Sequence, residues 1–186
     1  MTRNLLPVLV AAMIFVGGLA LAQTPAANPK VLLKTSLGDI TLELYPAKAP
    51  ITVKNILGYV NAKFYDGLIF HRVIPNFMIQ CGGYTADMAE KAANAPIKNE
   101  SGNGLTNARG FAAMARTQDL DSATAQFYIN LVDNFGLDEM KYCAFGKVIS
   151  GMDVVDAIAK VQTGSKRGHA NVPLQPVTII SATVVK

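Results

Sequence analysis

Eight short strand-like runs recur along the chain, and the first two alternate hydrophobic and polar residues, a pattern typical of half-buried β-strands. The first two runs, Val31–Thr35 and Asp39–Leu44, flank the segment Ser36-Leu37-Gly38 and predict a hairpin. Six further strands are predicted, at Leu68–Ile74, Phe77–Gln80, Gly110–Ala115, Gln126–Asn130, Ala144–Ile149 and Val177–Val185.

Helical periodicity appears in two segments. Pro50 begins the first, because proline lacks only an N–H that the first helical turn leaves unpaired anyway. Four residues of this segment form one apolar stripe: Val53, Ile56, Leu57 and Val60. The second segment is Asp153–Val161. Many short strands with only two helices predict a closed antiparallel sheet whose open ends the helices cover.

The first 22 residues have the features of a secretory signal peptide. Arg3 supplies a positive start, Leu5–Ala22 carries no charge, and Ala20-Leu21-Ala22 provides small residues before a cleavage site. We therefore expect a cleaved signal peptide at 1–22, a flexible lead-in at 23–29 and one folded domain at 30–186. Cleavage would place the protein in the periplasm.

The alternative for this segment is an uncleaved membrane anchor, because 18 uncharged residues are just long enough to span a bilayer. Pro7 and the pair Gly17-Gly18 interrupt the apolar run. These interruptions favour cleavage, after which no stable membrane insertion is expected.

Composition narrows the function classes. Of 186 residues, 51% are hydrophobic and 16% are charged, which is typical of a folded domain. The net charge of +4 is dispersed, and no basic run exceeds Lys166-Arg167, so a nucleic-acid partner is not expected. Two histidines and two cysteines are too few for a recognisable metal site, and no cofactor is implied.

Whether Cys81 and Cys143 form a disulfide stays open, because either thiol also suits a small buried apolar position.

Five segments carry the strongest motifs: 70–80 (FHRVIPNFMIQ), 110–117 (GFAAMART), 126–130 (QFYIN), 137–138 (LD) and 145–148 (FGKV). In this order and spacing they resemble the cyclophilins, most strongly the periplasmic cyclophilins of Gram-negative bacteria. The resemblance runs from about residue 31 to residue 185. It implies a peptidyl-prolyl cis-trans isomerase with an eight-stranded β-barrel capped by two α-helices.

The resemblance also implies roles for individual residues. Arg72 stands at the position of the family's catalytic arginine. The implied substrate-binding residues are His71, Phe77, Met78, Gln80, Ala115, Arg116, Gln126, Tyr128, Leu137 and Tyr142. Strand periodicity supports part of this set, because Met78 and Gln80 share a face of one strand and Gln126 and Tyr128 share a face of another. Each strand is therefore predicted to offer one apolar and one polar group to the same surface. Apolar walls with a few polar groups are what a ligand pocket requires.

The chain departs from the family pattern at several of these positions. Tyr128 replaces the usual Phe, so its hydroxyl requires a partner. Asn76 replaces a Gly in the turn, where Asn tolerates the left-handed region better than most residues. Gly136 stands where many relatives have Trp or Phe, with Phe135 one place earlier. In relatives that are sensitive to cyclosporin, an indole at this position contacts the drug.

The predicted function is isomerisation of X–Pro bonds in proline-containing, unfolded or folding exported polypeptides, by a monomer. The alternative is a proline-peptide binding module or holdase that uses the same groove without significant turnover. The presence of Arg72, Gln80 and Gln126 together favours the enzyme. A thiol redox protein is disfavoured because the chain has no C-x-x-C motif.

Overall fold

The computed structural model describes residues 27–185, so the predicted signal peptide and the first part of the lead-in lie outside the described residues. In chain order the elements are β1 (Lys30–Thr35), β2 (Gly38–Leu44), α1 (Pro50–Asn61), β3 (Leu68–Ile74), β4 (Met78–Thr85), β5 (Phe111–Met114), β6 (Phe127–Asn130), α2 (Gly136–Glu139), β7 (Ala144–Ser150), α3 (Met152–Ile158), β8 (Thr163–Lys166), β9 (His169–Pro173) and β10 (Ile179–Val185).

Eight strands form one antiparallel sheet in the order β10-β1-β2-β7-β5-β6-β4-β3. Alternate side chains of each strand point to the inner face, where Leu33, Ile40 and Phe145 are fully buried. Helix α1 packs against β10 and helix α3 packs against β2. The prediction of a mainly β fold is confirmed, as are the first hairpin and the helix that begins at Pro50.

The prediction of a closed barrel is wrong, because the sheet is an open half-barrel. Its two edge strands, β3 and β10, meet through an isolated bridge between Ile69 and Thr178 rather than through a regular ladder. Beside this bridge, the N–H of Gly67 donates to the Ile179 carbonyl at 2.8 Å, and the N–H of Phe70 donates to the Val177 carbonyl at 2.9 Å. Pro176 precedes this contact and has no N–H with which to extend a ladder.

The prediction of two helices is also wrong, since the described residues form three. The additional helix, α2, has only four residues, which is too short for helical periodicity to show in the sequence. A second hairpin, β8–β9, was not predicted because its strands are largely polar. Its turn has positive φ at Arg167 (47°) and Gly168 (80°), as in a type I′ turn. Strand β9 lies against β3 and so reaches the edge of the sheet.

The turn between β3 and β4 positions the most distinctive motif. Asn76 has φ of 58°, so it adopts the left-handed conformation that the substitution for Gly requires. Arg72 and Gln80 are cross-strand neighbours in this hairpin, and Gln80 faces Tyr128 on β6. The intervening residues Ile79 and Phe127 point into the core. Arg72, Gln80 and Tyr128 therefore share the surface opposite the core.

Cys81 and Cys143 are both buried free thiols. The Sγ of Cys143 lies 3.8 Å from the Thr52 hydroxyl, while Cys81 is in β4 within the core. Burial raises the pKa of both thiols, which keeps them protonated and unreactive. Among the described residues, no helix is long and apolar enough to cross a bilayer. Within residues 27–185 there is also no cluster of three or more side chains suited to binding a metal ion.

Candidate active site

A cleft of about 560 Å³ lies on the outer surface of β3, β4 and β6, beside the loop that contains α2. We call it the main cleft. Its lining is Arg72, Phe77, Met78, Gln80, Ala115, Arg116, Tyr128, Asn134, Gly136, Leu137, Met140 and Tyr142. The structure thus brings together nine of the eleven site residues predicted from the sequence.

The two arginines of the main cleft have different surroundings. The guanidinium of Arg116 donates to the carbonyls of Thr117 (2.8 Å) and Met140, and it stacks 4.4 Å from the ring centre of Tyr142. Arg72 is exposed and donates one long hydrogen bond, from Nη1 to Gln80 Oε1 at 3.4 Å. Most of the five N–H donors of Arg72 therefore have no protein acceptor within residues 27–185.

Two glutamines support Arg72 from below. Gln80 Nε2 donates to Gln126 Oε1 at 2.9 Å, and this bond orients the Gln80 oxygen towards Arg72. The amide of Gln126 lies directly on Gly83, where an added Cβ would be 2.5 Å from Nε2. Gly83 therefore has a steric role that the sequence did not reveal, since only glycine leaves room for this amide.

Phe77, Met78 and Leu137 form the apolar part of the main cleft, together with Tyr128. Met78 is only 2% exposed, whereas Phe77 and Leu137 are half-buried and face the opening. Asn134, which was not predicted, fixes the Phe77 backbone because its Nδ2 donates to the Phe77 carbonyl at 2.9 Å. The apolar wall is therefore held in position by a polar loop.

The hydroxyl of Tyr128 has a buried partner, which resolves its departure from the family pattern. It donates to Asn107 Oδ1 at 2.8 Å. Asn107 Nδ2 in turn donates to Asp138 Oδ1 at 2.7 Å, and Asp138 is the neighbour of Leu137 in α2. Burial is the largest cause of the raised pKa of Tyr128, so the hydroxyl stays protonated and acts as a donor. The floor of the cleft is thus connected to the loop that forms its wall.

Replacing Tyr128 with Phe is expected to lower the free energy of unfolding by about 0.5–1.5 kcal/mol, the usual contribution of one hydrogen bond. The loss should stay small because Asn107 Oδ1 keeps a second donor, Asn130 Nδ2 at 3.2 Å. Chemical denaturation of the two proteins measures the difference. A Tyr128→Phe variant as stable as the unmodified protein would show that the hydroxyl makes no net contribution.

His71 and Gln126, the other two predicted site residues, do not line the main cleft. They line a neighbouring cleft of about 430 Å³ on the other side of Arg72 and Gln80. His71 is 5% exposed, and its Nδ1 has no hydrogen-bond partner. Burial, with His169 and Arg72 nearby, lowers the pKa of His71 to about 4, so its imidazole is neutral at physiological pH.

Because its native pKa is depressed, His71 should make the protein less stable in acid. An unfolded histidine titrates near pH 6.5, so between about pH 6.5 and about pH 4 the unfolded chain binds more protons than the native protein. The free energy of unfolding should therefore fall as pH is lowered through this window. In a His71→Asn variant the fall between pH 6.5 and pH 5 should be shallower, as measured by urea denaturation. Parallel curves for the two proteins would contradict the prediction.

Three lining residues were not predicted as site residues: Asn134, Gly136 and Met140. All three belong to the loop around α2 and flank the predicted Leu137 in sequence. Gly136 is a departure from the family pattern at a drug-contacting position. For Asn134 and Met140, proximity to Leu137 was the only signal, because neither a polar Asn nor an exposed Met indicates a pocket by itself.

Comparisons with known proteins identify one family. Residues 30–184 match the sequence model of a family described as cyclophilin type peptidyl-prolyl cis-trans isomerase/CLD. A peptidyl-prolyl cis-trans isomerase of Acinetobacter baylyi is 56% identical over 92% of this chain and 93% of its own length. Peptidyl-prolyl cis-trans isomerase B of Escherichia coli is 51% identical over 83% of this chain and 98% of its own.

A solved structure shows the same fold. The crystal structure of a Cryptosporidium parvum cyclophilin type isomerase, in the presence of the dipeptide Ala-Pro, matches with a TM-score of 0.72. It is 23% identical, and the match covers 84% of this chain and 99% of that one.

Proposed function

Since this chain belongs to the cyclophilin-type peptidyl-prolyl cis-trans isomerases, we propose that it assists the folding of exported proteins, with Arg72 as its catalytic residue. The chain is an isomerase of X–Pro peptide bonds. The observation that carries the proposal is the exposed Arg72 guanidinium beside an apolar cleft, with most of its donors unoccupied.

The chemistry requires a group that binds the twisted amide better than either planar form. Resonance gives the X–Pro bond a rotation barrier of about 20 kcal/mol, and spontaneous exchange takes tens to hundreds of seconds. When the bond twists, the proline nitrogen loses its resonance and becomes a hydrogen-bond acceptor. A guanidinium directed at this nitrogen stabilises the transition state selectively, which is what catalysis demands.

Arg72 meets this requirement better than Arg116 does. Backbone carbonyls and the Tyr142 ring already hold the Arg116 guanidinium, so it shapes the cleft and has fewer donors to offer. The Gln80–Gln126 pair restrains Arg72 from one side and leaves its other donors free. We assign Arg72 to the proline nitrogen and Gln80 to its positioning.

The remaining stabilisation is assigned to the apolar wall. A rate increase of about 10⁵ corresponds to roughly 7 kcal/mol, whereas one charged hydrogen bond contributes about 1.5–3 kcal/mol. Phe77, Met78 and Leu137 would hold the proline ring in a cavity with little water, where fixed dipoles act more strongly. No nucleophile, metal ion or cofactor takes part in this mechanism.

The proposed location rests on the sequence of residues 1–22, which has the charge, length and small residues of a signal peptide. Expressed in a Gram-negative host, the protein should appear in the periplasmic fraction with Gln23 at its N-terminus. Recovery in the membrane fraction with an intact N-terminus would instead support the uncleaved anchor.

A protease-coupled assay on a short proline peptide tests the enzymatic proposal. Catalysed exchange is expected to exceed spontaneous exchange by several orders of magnitude at micromolar enzyme. Peptide binding without accelerated exchange would instead identify the groove as a binding module or holdase.

A further inference from the structure

The neighbouring cleft beside Arg72 is lined by nine residues from three parts of the chain, and we call it the side cleft. Hairpin β3–β4 and Gln126, which directly precedes β6, form one wall, and hairpin β8–β9 forms the other. The lining is His71, Arg72, Gln80, Tyr84, Gln126, Gly168, His169, Ala170 and Asn171.

Three aromatic rings form a continuous row along the side cleft. The ring centres of His71 and Tyr84 are 4.7 Å apart, and those of Tyr84 and His169 are 4.9 Å apart. This packing joins hairpin β8–β9 to the sheet, and the type I′ turn at Arg167-Gly168 places His169 at the rim. The side cleft is therefore formed by packed elements of the fold, and one of its walls is aromatic.

The side cleft adjoins the main cleft across Arg72 and Gln80. Arg72 and Gln80 line both, so a polypeptide whose proline occupies the main cleft must pass Arg72 to leave in this direction. An extended bound chain rises by about 3.3 Å per residue, so two or three residues beyond the proline span roughly 7–10 Å.

The polar groups of the side cleft favour an anionic occupant. None of its nine lining residues is acidic, and Arg72 carries a full positive charge. Tyr84, His169 and Asn171 have side-chain groups that can donate hydrogen bonds, and His71 Nδ1 is buried without a partner. Two acidic residues flank the side cleft without lining it: Asp87 lies 3.9 Å from Arg167, and Glu90 pairs with Tyr84 through its backbone.

We propose that the side cleft binds the part of the substrate that flanks the proline and selects an acidic side chain two or three residues away from it. The inference rests on the proposed function, because it assumes that the proline occupies the main cleft. The carboxylate would meet Arg72 on its outer side and the donors of His169 and Asn171 at the rim.

Peptides with one Ala-Pro core, extended by three residues on either side, test this assignment. Each position beyond the core carries Glu in one peptide and Gln in its matched partner, and kcat/KM is measured for each pair. On one side of the proline, Glu is expected to exceed Gln by about two- to fivefold, the range of an exposed ion pair. On the other side the two peptides should be equal.

The variant His169→Glu should abolish or reverse this preference, because it adds a negative charge at the rim. Asn171→Gly should weaken the preference while retaining the positive φ of 61° at this position. Lys54→Gln is the matched control, since it changes the net charge by the same amount on the exposed face of α1 and should leave the preference intact. Comparing the Glu-over-Gln preference of the three variants distinguishes a local contact at the rim from a general effect of net charge.

Equal rates for Glu and Gln peptides on both sides, with the short core still turned over, would overturn the side-cleft assignment alone. The same holds if His169→Glu leaves the preference unchanged. Absence of turnover for every peptide would instead overturn the proposed function. A preference for Glu that Lys54→Gln reduces as much as His169→Glu does would show long-range attraction and would also overturn the assignment.

Discussion

Replacing Arg72 with Ala is expected to lower kcat/KM for a short proline peptide by about 10- to 150-fold. This range corresponds to the loss of one charged hydrogen bond, about 1.5–3 kcal/mol, from the transition state. The apolar wall and the Gln80–Gln126 pair stay in place, so residual catalysis should remain. The loss should appear mainly in kcat, because the guanidinium is assigned to the twisted amide rather than to the planar substrate.

The fold should tolerate this change. Arg72 is exposed, its one side-chain hydrogen bond is long, and the residue forms no ion pair within residues 27–185. Substitutions at such positions usually alter the free energy of unfolding by no more than about 0.5 kcal/mol. Turnover and thermal melting should therefore be measured on the same preparation.

Two further variants make the Arg72 result specific. Arg72→Lys keeps the charge but not the planar fork of donors, and it should recover only part of the activity. Lys54→Ala removes an exposed charge on α1, remote from the clefts, and should retain full activity. Near-normal turnover in a folded Arg72→Ala variant would exclude this arginine as the catalytic residue.

The first hairpin was predictable because β1 and β2 alternate between buried and more exposed side chains. β1, β2 and β3 were located within one residue, since one face of each contributes to a single core. The opening between β3 and β10 could not be predicted, because the sequence pattern does not show how the two edge strands lie relative to each other. Polar hairpin β8–β9 left no hydrophobic pattern, although the Arg167-Gly168 turn was a weak signal.

The sequence predicted those site residues that belong to recognisable motifs. It did not predict features that depend on contacts with distant parts of the chain. The resemblance indicated Arg72, Gln80 and the apolar wall, and the structure brings them together. That Arg116 is held by carbonyls while Arg72 is not depends on the path of a distant loop. Likewise, the placement of His71 in the side cleft depends on hairpin β8–β9, which the sequence pattern did not reveal.

Cyclosporin should inhibit the unmodified protein weakly, and Gly136→Trp should raise its affinity by about one to three powers of ten. The introduced indole would supply one hydrogen-bond donor, contributing about 0.5–1.5 kcal/mol, and an aromatic surface contributing roughly 1–3 kcal/mol by area. Gly136 lines the main cleft, and a Cβ added there would meet no atom within 4 Å. The Cβ of a side chain at position 136 therefore meets no steric obstacle.

Phe135 does not take the place of this missing ring. Its side chain is 53% exposed and does not line the main cleft, whereas Gly136 and Leu137 do. Turnover of a short proline peptide should change little in Gly136→Trp, because the peptide is assigned to the wall of Phe77 and Met78. Gly58→Trp is the matched control: Gly58 is exposed on α1, and its surroundings are equally open. Tight inhibition of the unmodified protein, or equal inhibition of the two Trp variants, would show that residue 136 does not face the bound drug.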